Sequence, residues 1–507
     1  AIRANRVPNN ADTVFSGGSI TKQFTAAGIM KLEMQGTLHT HESISKYVTE
    51  VPNDKKEITL HHLLTHTAGT INYTGKDFEE TERDPMVRKI LNAPLQFSPG
   101  TEFSYSNAGY SLLAAILEKV SGQNYEAFLH EYLFKPAGMR YTGYRLPNWD
   151  EKTVAHWYSG ETDNGTPLEK PFPYWNLLGN GGILSTTKDM FRWHRALMGN
   201  CLLSQAVKKK LYTPFKNNYA YGWEVLQTPH GTVLQHGGAS SYGSSASFIR
   251  FIDKETVIVL FCNQDLHNFS LARILKNNIV VHIFESTHTL PPPSKKIDPS
   301  LLKEYAGVYK LSEDNCFHVE AGEGRLKITP KGQRSIDLLV FPEENQVDSH
   351  KELNRRTAEI LKSSRKNDYQ PLRNALMDKS NFERYQRLIK ERWKLFEEEC
   401  GTLQEYTVLG TVPTWGYEGM LTVFVRLKFD HGVKTFNLAW TDEGMRGLLQ
   451  FTGDIQYPVF LYFVPQSPTK FVGFHLATEK LVKIRFNHHL SIHAHGKVIT
   501  AEKSGVT

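Results

Sequence analysis

The sequence predicts an α/β (α+β) domain with an antiparallel central sheet, followed by a small β-barrel and an inserted α+β domain. Before residue 285, helical and strand-like patterns alternate, and apolar runs at 247–251 and 256–261 flank a short turn, which predicts a hairpin. After a proline-rich segment, residues 305–342 hold short alternating runs broken by glycines, a pattern typical of an antiparallel barrel. These observations favour a chain of several domains.

The composition is that of an ordinary globular protein. The chain has 507 residues, 40% hydrophobic and 22% charged, which fits about three domains and excludes a disordered, collagen-like or coiled-coil chain. The 59 Lys and Arg against 53 Asp and Glu give a net charge of +6, too small an excess to indicate nucleic acid as a partner. No apolar run approaches the ~20 residues that cross a bilayer, so we expect no transmembrane segment.

The four cysteines lie far apart and include no C-x-x-C pair, which favours free thiols over a disulfide framework or a zinc site. The chain begins at Ala1, and its first residues lack the charged-then-apolar pattern of a signal peptide. A removed leader and a fragment of a longer chain both fit this start. The sequence therefore leaves the cellular compartment open.

Apolar spacing predicts the helices of the first part. Residues 19–34 carry apolar side chains at helical spacing, which predicts an amphipathic helix, and residues 110–120 predict a second, apolar helix. The hairpin at 247–261 follows, and a further apolar helix is predicted near 271–284.

The domain organisation is read from a proline-rich segment. Three consecutive prolines among polar residues predict a linker over 286–299, which places a first domain at 1–285. Residues 300–350 together with 453–507 are assigned to the barrel. Between them, residues 351–452 predict charged helices followed by long strands, an inserted α+β domain without a catalytic constellation.

The strongest chemical signal is Ser19-Ile20-Thr21-Lys22, an S-x-x-K at the start of the first predicted helix. A serine hydroxyl is a weak nucleophile that needs a base within hydrogen-bond reach. A spacing of three along a helix puts Lys22 on the same face as Ser19, and a helix N-terminus favours negative charge that develops beside it. On its own the motif also fits a capping serine followed by a surface lysine.

Two further motifs carry groups that complete a catalytic set. Tyr105 and Asn107 form a Y-x-N in a loop before the second helix. A tyrosine accepts a serine proton when a neighbouring ammonium lowers its pKa, and an asparagine amide holds a substrate carbonyl. The segment His236-Gly237-Gly238-Ala239 lies at a strand edge, where glycines let a substrate approach main-chain N–H groups.

These three motifs, in this order, resemble those of the serine β-lactamase/penicillin-binding-protein-like superfamily. The most similar branch contains class C β-lactamases, D-aminopeptidases, DD-carboxypeptidases and family VIII esterases, and the resemblance covers roughly residues 8–285. It includes ITLHHLLTHTAG at 58–69, which is similar to the family run ITLRHLLTHTSG, and the runs at 134–139 and 181–186.

The resemblance implies a β-lactamase-like fold and an acyl-enzyme mechanism without metal or cofactor. It makes Ser19 the acylated nucleophile, lets Lys22 and Tyr105 share the general-base work, and gives Asn107 the positioning of substrate. Residues 299–309 are similar to the entry of a lipocalin-like barrel that follows this domain in many homologues.

The glycine-rich strand edge departs from the usual family pattern. His236-Gly237-Gly238 replaces the usual K-T-G, and the resemblance implies an oxyanion hole formed by the N–H groups of Ser19 and Ala239. A histidine with its ordinary pKa near 6.5 is mostly neutral at pH 7. We therefore expect His236 to anchor a substrate carboxylate weakly at pH 7 and better as the pH falls toward 6.

The start of the chain is a second departure. Family members carry a helix and two strands before the S-x-x-K, whereas eighteen residues precede Ser19 here. We expect one of two explanations for the missing N-terminal strands. Either these strands have been removed, or the central sheet is smaller and its edge is covered another way.

Two other candidate sites are weaker. His62 and His66 stand four residues apart, as zinc ligands on one helical face do, but Leu63 occupies the position of the glutamate in H-E-x-x-H. The glycine-rich run at 179–182 is not followed by the helix and lysine of a phosphate-binding loop. We therefore expect no metal site.

We interpret the chain as a serine hydrolase that acts through an acyl-enzyme on a small ester, amide or peptide. A β-lactamase or a DD-carboxypeptidase/penicillin-binding protein is the alternative within the enzymes. A non-catalytic scaffold, in which the extra domains act by forming a homo-oligomer, is the alternative outside them. The expected partner is a small-molecule or peptide substrate.

Overall fold

The structure, a computed structural model, describes residues 8–159, 162–171, 174–240, 242–265, 271–284, 293–322, 324–343, 345–414, 419–448, 458–475, 478 and 480–504. The chain divides into two compact units, Ala1–Val280 and Val281–Thr507. No helix in the described ranges has both the length and the apolar character that crossing a membrane requires.

The first unit combines helices with antiparallel strands. Its helices are α1 (Thr21–Met34), α2 (Leu60–Leu64), α3 (Arg83–Asn92), α4 (Asn107–Ser121), α5 (Tyr125–Leu129), α6 (Lys135–Ala137), α7 (Thr187–Met198), α8 (Gln205–Leu211) and α9 (Leu271–Phe284), of which residues 281–284 fall in the second unit. Its strands are β1 (Phe15–Ser16), β2 (Tyr158–Ser159), β3 (Thr162–Asp163), β4 (Leu184–Ser185), β5 (Glu224–Thr228), β6 (Gly231–Ser240), β7 (Ser244–Phe251), β8 (Thr256–Cys262) and β9 (Gln264–Asp265).

The central sheet is antiparallel, with the strand order β5-β6-β7-β8. The predicted hairpin is confirmed, since β7 and β8 pair around a short 3-10 turn at Ile252–Lys254. Every residue of β7 is buried, because this strand lies inside the sheet between β6 and β8. Among the described strands, β5 and β8 are the edges of this sheet.

Helix α1, which follows Ser19, is buried nearly all round. Eleven of its 14 residues are buried, because the helix packs against α4, α5 and α8 inside the unit. The helix is therefore confirmed, but the prediction that it is amphipathic is wrong: an amphipathic helix would keep a polar face in solvent. The polar residues of its first two turns, Thr21, Lys22, Gln23 and Thr25, are buried as well.

The second unit contains helices and two separate β-structures. Its helices are α10 (Pro299–Tyr305), α11 (Gln333–Val340), α12 (Val347–Arg365), α13 (Gln370–Ala375) and α14 (Phe382–Cys400). Its strands are β10 (Gly307–Ser312), β11 (Asn315–Gly322), β12 (Arg325–Lys331), β13 (Leu403–Pro413), β14 (Leu421–Phe429), β15 (Gly432–Thr441), β16 (Gly444–Leu448), β17 (Leu461–Pro465), β18 (Lys470–His475), β19 (Lys480–Phe486), β20 (Leu490–Ala494) and β21 (Lys497–Lys503).

Eight of these strands form a closed barrel in the order β10-β11-β12-β17-β18-β19-β20-β21, which confirms the predicted barrel. Pairing between β10 and β21 closes it. Between β12 and β17, the chain forms helices and the four-stranded antiparallel sheet β13–β16, whose buried face packs with α12 and α14 around Trp393, Phe396 and Trp440. The domain boundaries proposed from the sequence stay predictions, and residues 286–292 of the linker lie outside the described residues.

Candidate active site

Ser19 lies in the 3-10 turn Gly18–Ile20, directly before α1. Lys22 is in the first turn of the helix, and its Nζ donates a hydrogen bond to Ser19 Oγ at 3.1 Å. Lys22 is fully buried. The spacing of three along the chain therefore puts the amine against the hydroxyl, as the motif predicts.

Two further acceptors surround the Lys22 amine. Its Nζ donates to Asn107 Oδ1 at 2.6 Å and to the carbonyl oxygen of Asn180 at 2.7 Å. Burial lowers the pKa of Lys22 well below its ordinary value, and the negative charge of Asp77 opposes this only in part. A buried amine with a lowered pKa can lose its proton and act as a base.

The Y-x-N motif ends at the start of α4. Asn107 is the first residue of this helix, and the side chain of Ser106 caps it by accepting the N–H of Gly109. The phenol of Tyr105 is hydrogen-bonded to Ser19, and Lys22 Nζ lies 4.7 Å from the centre of the Tyr105 ring.

The pKa of Tyr105 is shifted in the direction opposite to the one that a tyrosine base requires. Burial raises the pKa of Tyr105, and the hydrogen bond from Ser19 offsets this only in part. The condition for a tyrosine base, a pKa lowered by a neighbouring ammonium, is therefore not met, because desolvation of the phenolate is the larger effect. Tyr105 is a phenol at neutral pH, whereas burial shifts the pKa of Lys22 downward, in the direction that favours the neutral amine.

The glycine-rich segment brings β6 against the turn that holds Ser19. A Cβ on Gly238 would lie 2.0 Å from the carbonyl oxygen of Gly17 and 3.0 Å from Ser19 N, so no larger residue fits there. Gly18 has φ +51°, and a Cβ there would lie 2.7 Å from Ala239 N. These close approaches set the backbones of Ser19 and Ala239 side by side.

The same end of β6 extends beyond the end of its neighbouring strand β5. The pairing of β5 with β6 ends at Glu224 and Gln235, whereas β6 continues to pair with β7 through Ser240. On the open side of an antiparallel strand, alternate N–H groups lack a ladder partner. This edge is the place where the sequence predicts a main-chain donor from Ala239.

His236 is locked in a neutral state. Its Nε2 is 2.9 Å from the Tyr219 hydroxyl, and its Nδ1 is 2.6 Å from the carbonyl oxygen of Gly237. Since a carbonyl oxygen only accepts, Nδ1 carries the proton and Nε2 accepts from Tyr219. Burial, with help from the charge of Lys22, lowers the pKa of His236 to about 4. The expectation that this histidine becomes charged near pH 6 is therefore wrong.

A cavity of about 800 Å³ opens beside Ser19. The predicted site residues that line it are Ser19, Tyr105, Asn107, His236, Gly237, Gly238 and Ala239. Lys22 lies outside this lining, in contact with Ser19 and Asn107. The structure thus brings all eight predicted residues together, although they come from three distant parts of the chain.

The cavity also contains residues that the sequence argument missed. Asn180, from the run considered only as a phosphate-binding loop, accepts a hydrogen bond from Lys22 through its backbone carbonyl. The other missed lining residues include Tyr73, Asp77, Phe78, Trp157, Glu224, Tyr242 and Lys276. They belong to separate loops, strands and helix α9, and no local motif marks them.

The histidine pair considered for zinc has structural contacts instead. His62 Nδ1 accepts the N–H of Thr59 as part of a capping box, and His66 Nδ1 accepts the N–H of Ser106. Within the described ranges, no three His, Cys, Asp or Glu side chains are grouped so that they could hold a metal ion.

Comparison with known proteins places these motifs in context. A family model described as Beta-lactamase matches residues 1–279. The chain is 28% identical to Penicillin-binding protein 4* of Bacillus subtilis (strain 168) over 370 residues, covering 66% of this chain and 80% of that protein. It is 32% identical to the putative penicillin-binding protein PbpX of the same strain over 265 residues, covering 52% of this chain and 65% of that protein.

Among solved structures, the chain is similar to an octameric penicillin-binding protein homologue from Pyrococcus abyssi. The two are 16% identical with a TM-score of 0.49, and the match covers 99% of this chain and 91% of that one.

Proposed function

We propose that this chain, which belongs to the β-lactamase family of serine hydrolases, hydrolyses a small ester, amide or peptide through an acyl-enzyme on Ser19. The observation that carries the proposal is the contact between Lys22 Nζ and Ser19 Oγ, 3.1 Å apart, together with the burial that lowers the pKa of the amine. A nucleophile and a base in this relation are what acyl transfer needs.

In the proposed acylation, neutral Lys22 takes the proton from Ser19 Oγ as this oxygen attacks the substrate carbonyl. The oxyanion that forms is held by the N–H groups of Ser19 and Ala239, the two facing backbones. Tyr105, hydrogen-bonded to Ser19, donates its proton to the leaving group and is reprotonated by Lys22, which returns to the neutral amine. Water then attacks the ester and gives a proton to Lys22, and Lys22 passes this proton to Ser19 Oγ as the acyl group is released.

Asn107 is proposed to position the substrate. Its Oδ1 accepts from Lys22, so the carboxamide oxygen is already used. The NH₂ group of the same side chain interacts with Tyr73 and retains a second N–H. We assign this second donor to a carbonyl oxygen of the substrate.

His236 directs the choice of substrate away from anions. Both ring nitrogens have partners and the ring is neutral, so it offers no positive charge to a carboxylate. We therefore propose substrates without a carboxylate beside the scissile bond: esters, amides, or peptides cleaved from the amino end. A penicillin-binding protein is the second candidate, favoured by the names of the two Bacillus subtilis relatives.

The test is covalent labelling of the whole chain. A fluorophosphonate and a fluorescent penicillin are applied in parallel, and the modified peptide is identified by mass spectrometry. We expect the fluorophosphonate on Ser19, no label in Ser19→Ala, and retained label in Ser16→Ala, which removes a neighbouring buried serine hydroxyl. Penicillin label alone would favour the penicillin-binding protein. No label on folded protein would reject the enzyme and favour the scaffold.

A further inference from the structure

One wall of the cavity beside Ser19 carries a carboxylate for which the described part of the chain supplies no hydrogen-bond donor. Asp77 lines the cavity and is partly buried. Among the described residues, none donates a hydrogen bond to its carboxylate or forms an ion pair with it; Lys22 acts on it only through its charge. Burial raises the pKa of Asp77, because removing a carboxylate from water without a partner is unfavourable.

The other charged groups in the described lining are already engaged or exposed. Glu224 accepts a hydrogen bond from Gln235 Nε2 at 2.9 Å, and Lys276 donates to Gln235 Oε1 at 3.2 Å. The guanidinium of Arg145 donates to two backbone carbonyls, and Lys76 is exposed. Asp77 is therefore the carboxylate of this lining that is left for a ligand.

Three aromatic rings line the same cavity as Asp77. The rings of Trp157 and Tyr242 are stacked with centroids 5.2 Å apart, and the Phe78 ring is 5.4 Å from that of Tyr242. All three residues line the cavity. A carboxylate and aromatic faces in one cavity are a favourable environment for an ammonium group, through a charge-assisted hydrogen bond and cation–π attraction. The Tyr242 ring already has one such contact, with Lys170 Nζ 5.0 Å from its centre, which leaves the Phe78 and Trp157 rings for a ligand.

A second, independent observation points to a ligand at this wall. Trp157 is 3% exposed, and its indole N–H has no hydrogen-bond partner among the described residues. A buried donor without a partner is costly. A substrate carbonyl in the cavity that Trp157 and Asp77 both line would satisfy it.

We infer that Asp77, with the wall formed by Phe78, Trp157 and Tyr242, binds the free α-ammonium of a substrate whose adjoining apolar side chain packs on these rings. The substrates are then amides, esters or peptides of an amino acid with an unblocked amino group and an apolar side chain. This inference rests on the proposed function in that Ser19 attacks the carbonyl beside the bound ammonium.

Paired substrates test it by kinetics. Phenylalanine p-nitroanilide and its N-acetyl form, in both L and D series, are compared by kcat/KM. We expect the free amine of one series to be preferred at least about tenfold, the scale of a hydrogen bond to a charged group. Asp77→Asn should reduce this ratio about tenfold, mainly through KM. Glu80→Gln removes a carboxylate from an exposed position three residues along the chain and should leave the ratio as it is.

A binding measurement separates this inference from the proposed function. Phenethylamine is titrated calorimetrically into the full chain carrying Ser19→Ala, in which no turnover occurs. We expect binding that weakens about tenfold when Asp77→Asn is added, and no weakening with Glu80→Gln.

Equal affinity for phenethylamine with and without Asp77→Asn would overturn the ammonium site. An unchanged kcat/KM ratio of free to N-acetylated substrate in Asp77→Asn would overturn it too. Both conclusions would hold even if the fluorophosphonate labels Ser19. Amine binding that depends on Asp77 without labelling of Ser19 would support the site and reject the proposed chemistry.

Discussion

The imidazole of His66 lies against the phenol of Tyr105, with the ring centroids 4.2 Å apart. His66 also accepts the N–H of Ser106 through Nδ1 at 3.0 Å. The His66 ring therefore contacts Tyr105, the first residue of the Y-x-N motif, and accepts a hydrogen bond from the backbone of Ser106, the second. Burial lowers the pKa of His66 well below the ordinary value, so the ring is neutral.

The first prediction concerns this support. His66→Ala removes the acceptor of a buried N–H, and it leaves alanine in a left-handed conformation, since φ at this position is 58°. We expect a loss of about 3 kcal/mol in the free energy of unfolding, measured with urea, and slower fluorophosphonate labelling. Asn retains an acceptor and tolerates φ above zero, so His66→Asn should lose about 1 kcal/mol. Equal stability of the two variants would contradict the proposed contact.

The second prediction concerns the base. Arginine keeps a positive charge but does not deprotonate in proteins, so Lys22→Arg should slow acylation of Ser19 roughly a thousandfold, as Lys22→Ala should. In the native protein the neutral amine is the active form. The acylation rate should therefore rise with pH through the lowered pKa of Lys22 and then level off. Stopped-flow labelling between pH 5 and pH 9 measures this.

Rapid acylation of Ser19 in Lys22→Arg would show that a group other than Lys22 is the base. Labelling of Lys31→Arg provides the control, since this lysine is also on α1 but donates to the carbonyl of Leu202 instead of approaching Ser19.

Local sequence was sufficient where a motif encodes its own geometry. Ser19 and Lys22 are three apart at the start of a helix, so their contact follows from helix spacing alone. The hairpin of β7 and β8 likewise follows from two apolar runs around a short turn. The family resemblance added the order of the motifs, which spacing within one segment does not give.

What the sequence missed depends on contacts between distant segments. Tyr219 contacts the His236 ring from a separate loop, and burial lowers the pKa of this histidine, so an ordinary histidine pKa was the wrong starting value. Asp77 and Trp157 meet in one cavity from positions 80 apart. The solvent-facing side expected for α1 is absent because neighbouring helices cover it.

The third prediction concerns the division of the chain. The core around α1 and α4 consists of residues between Ile20 and Phe248, all in the first compact unit. A chain that ends at residue 290 should therefore fold cooperatively and label at Ser19 with fluorophosphonate, because few contacts cross such a boundary. Circular dichroism and labelling of the truncated chain measure this, with Ser19→Ala as the unlabelled control. A folded truncation that cannot be labelled would show that the second unit helps to form the site.

The last prediction concerns the charge at the glycine-rich strand. Because burial lowers the pKa of His236 to about 4, the imidazole stays neutral from pH 8 down to pH 6 and titrates only as the pH falls toward 4. The affinity for a carboxylate-bearing β-lactam relative to an uncharged ester should therefore not rise by protonation of His236 between pH 8 and pH 6. In His236→Lys, an ammonium beside the Tyr219 hydroxyl supplies the missing charge, and we expect the second-order rate of acylation by fluorescent penicillin to rise roughly tenfold. His236→Gln preserves a hydrogen-bonding group without charge and should give no such gain. The opposite result would be an acylation rate of the native protein by fluorescent penicillin that rises tenfold from pH 8 to pH 6, with no such rise in His236→Gln. That result would show that the histidine is charged in this range and would restore it as a carboxylate anchor.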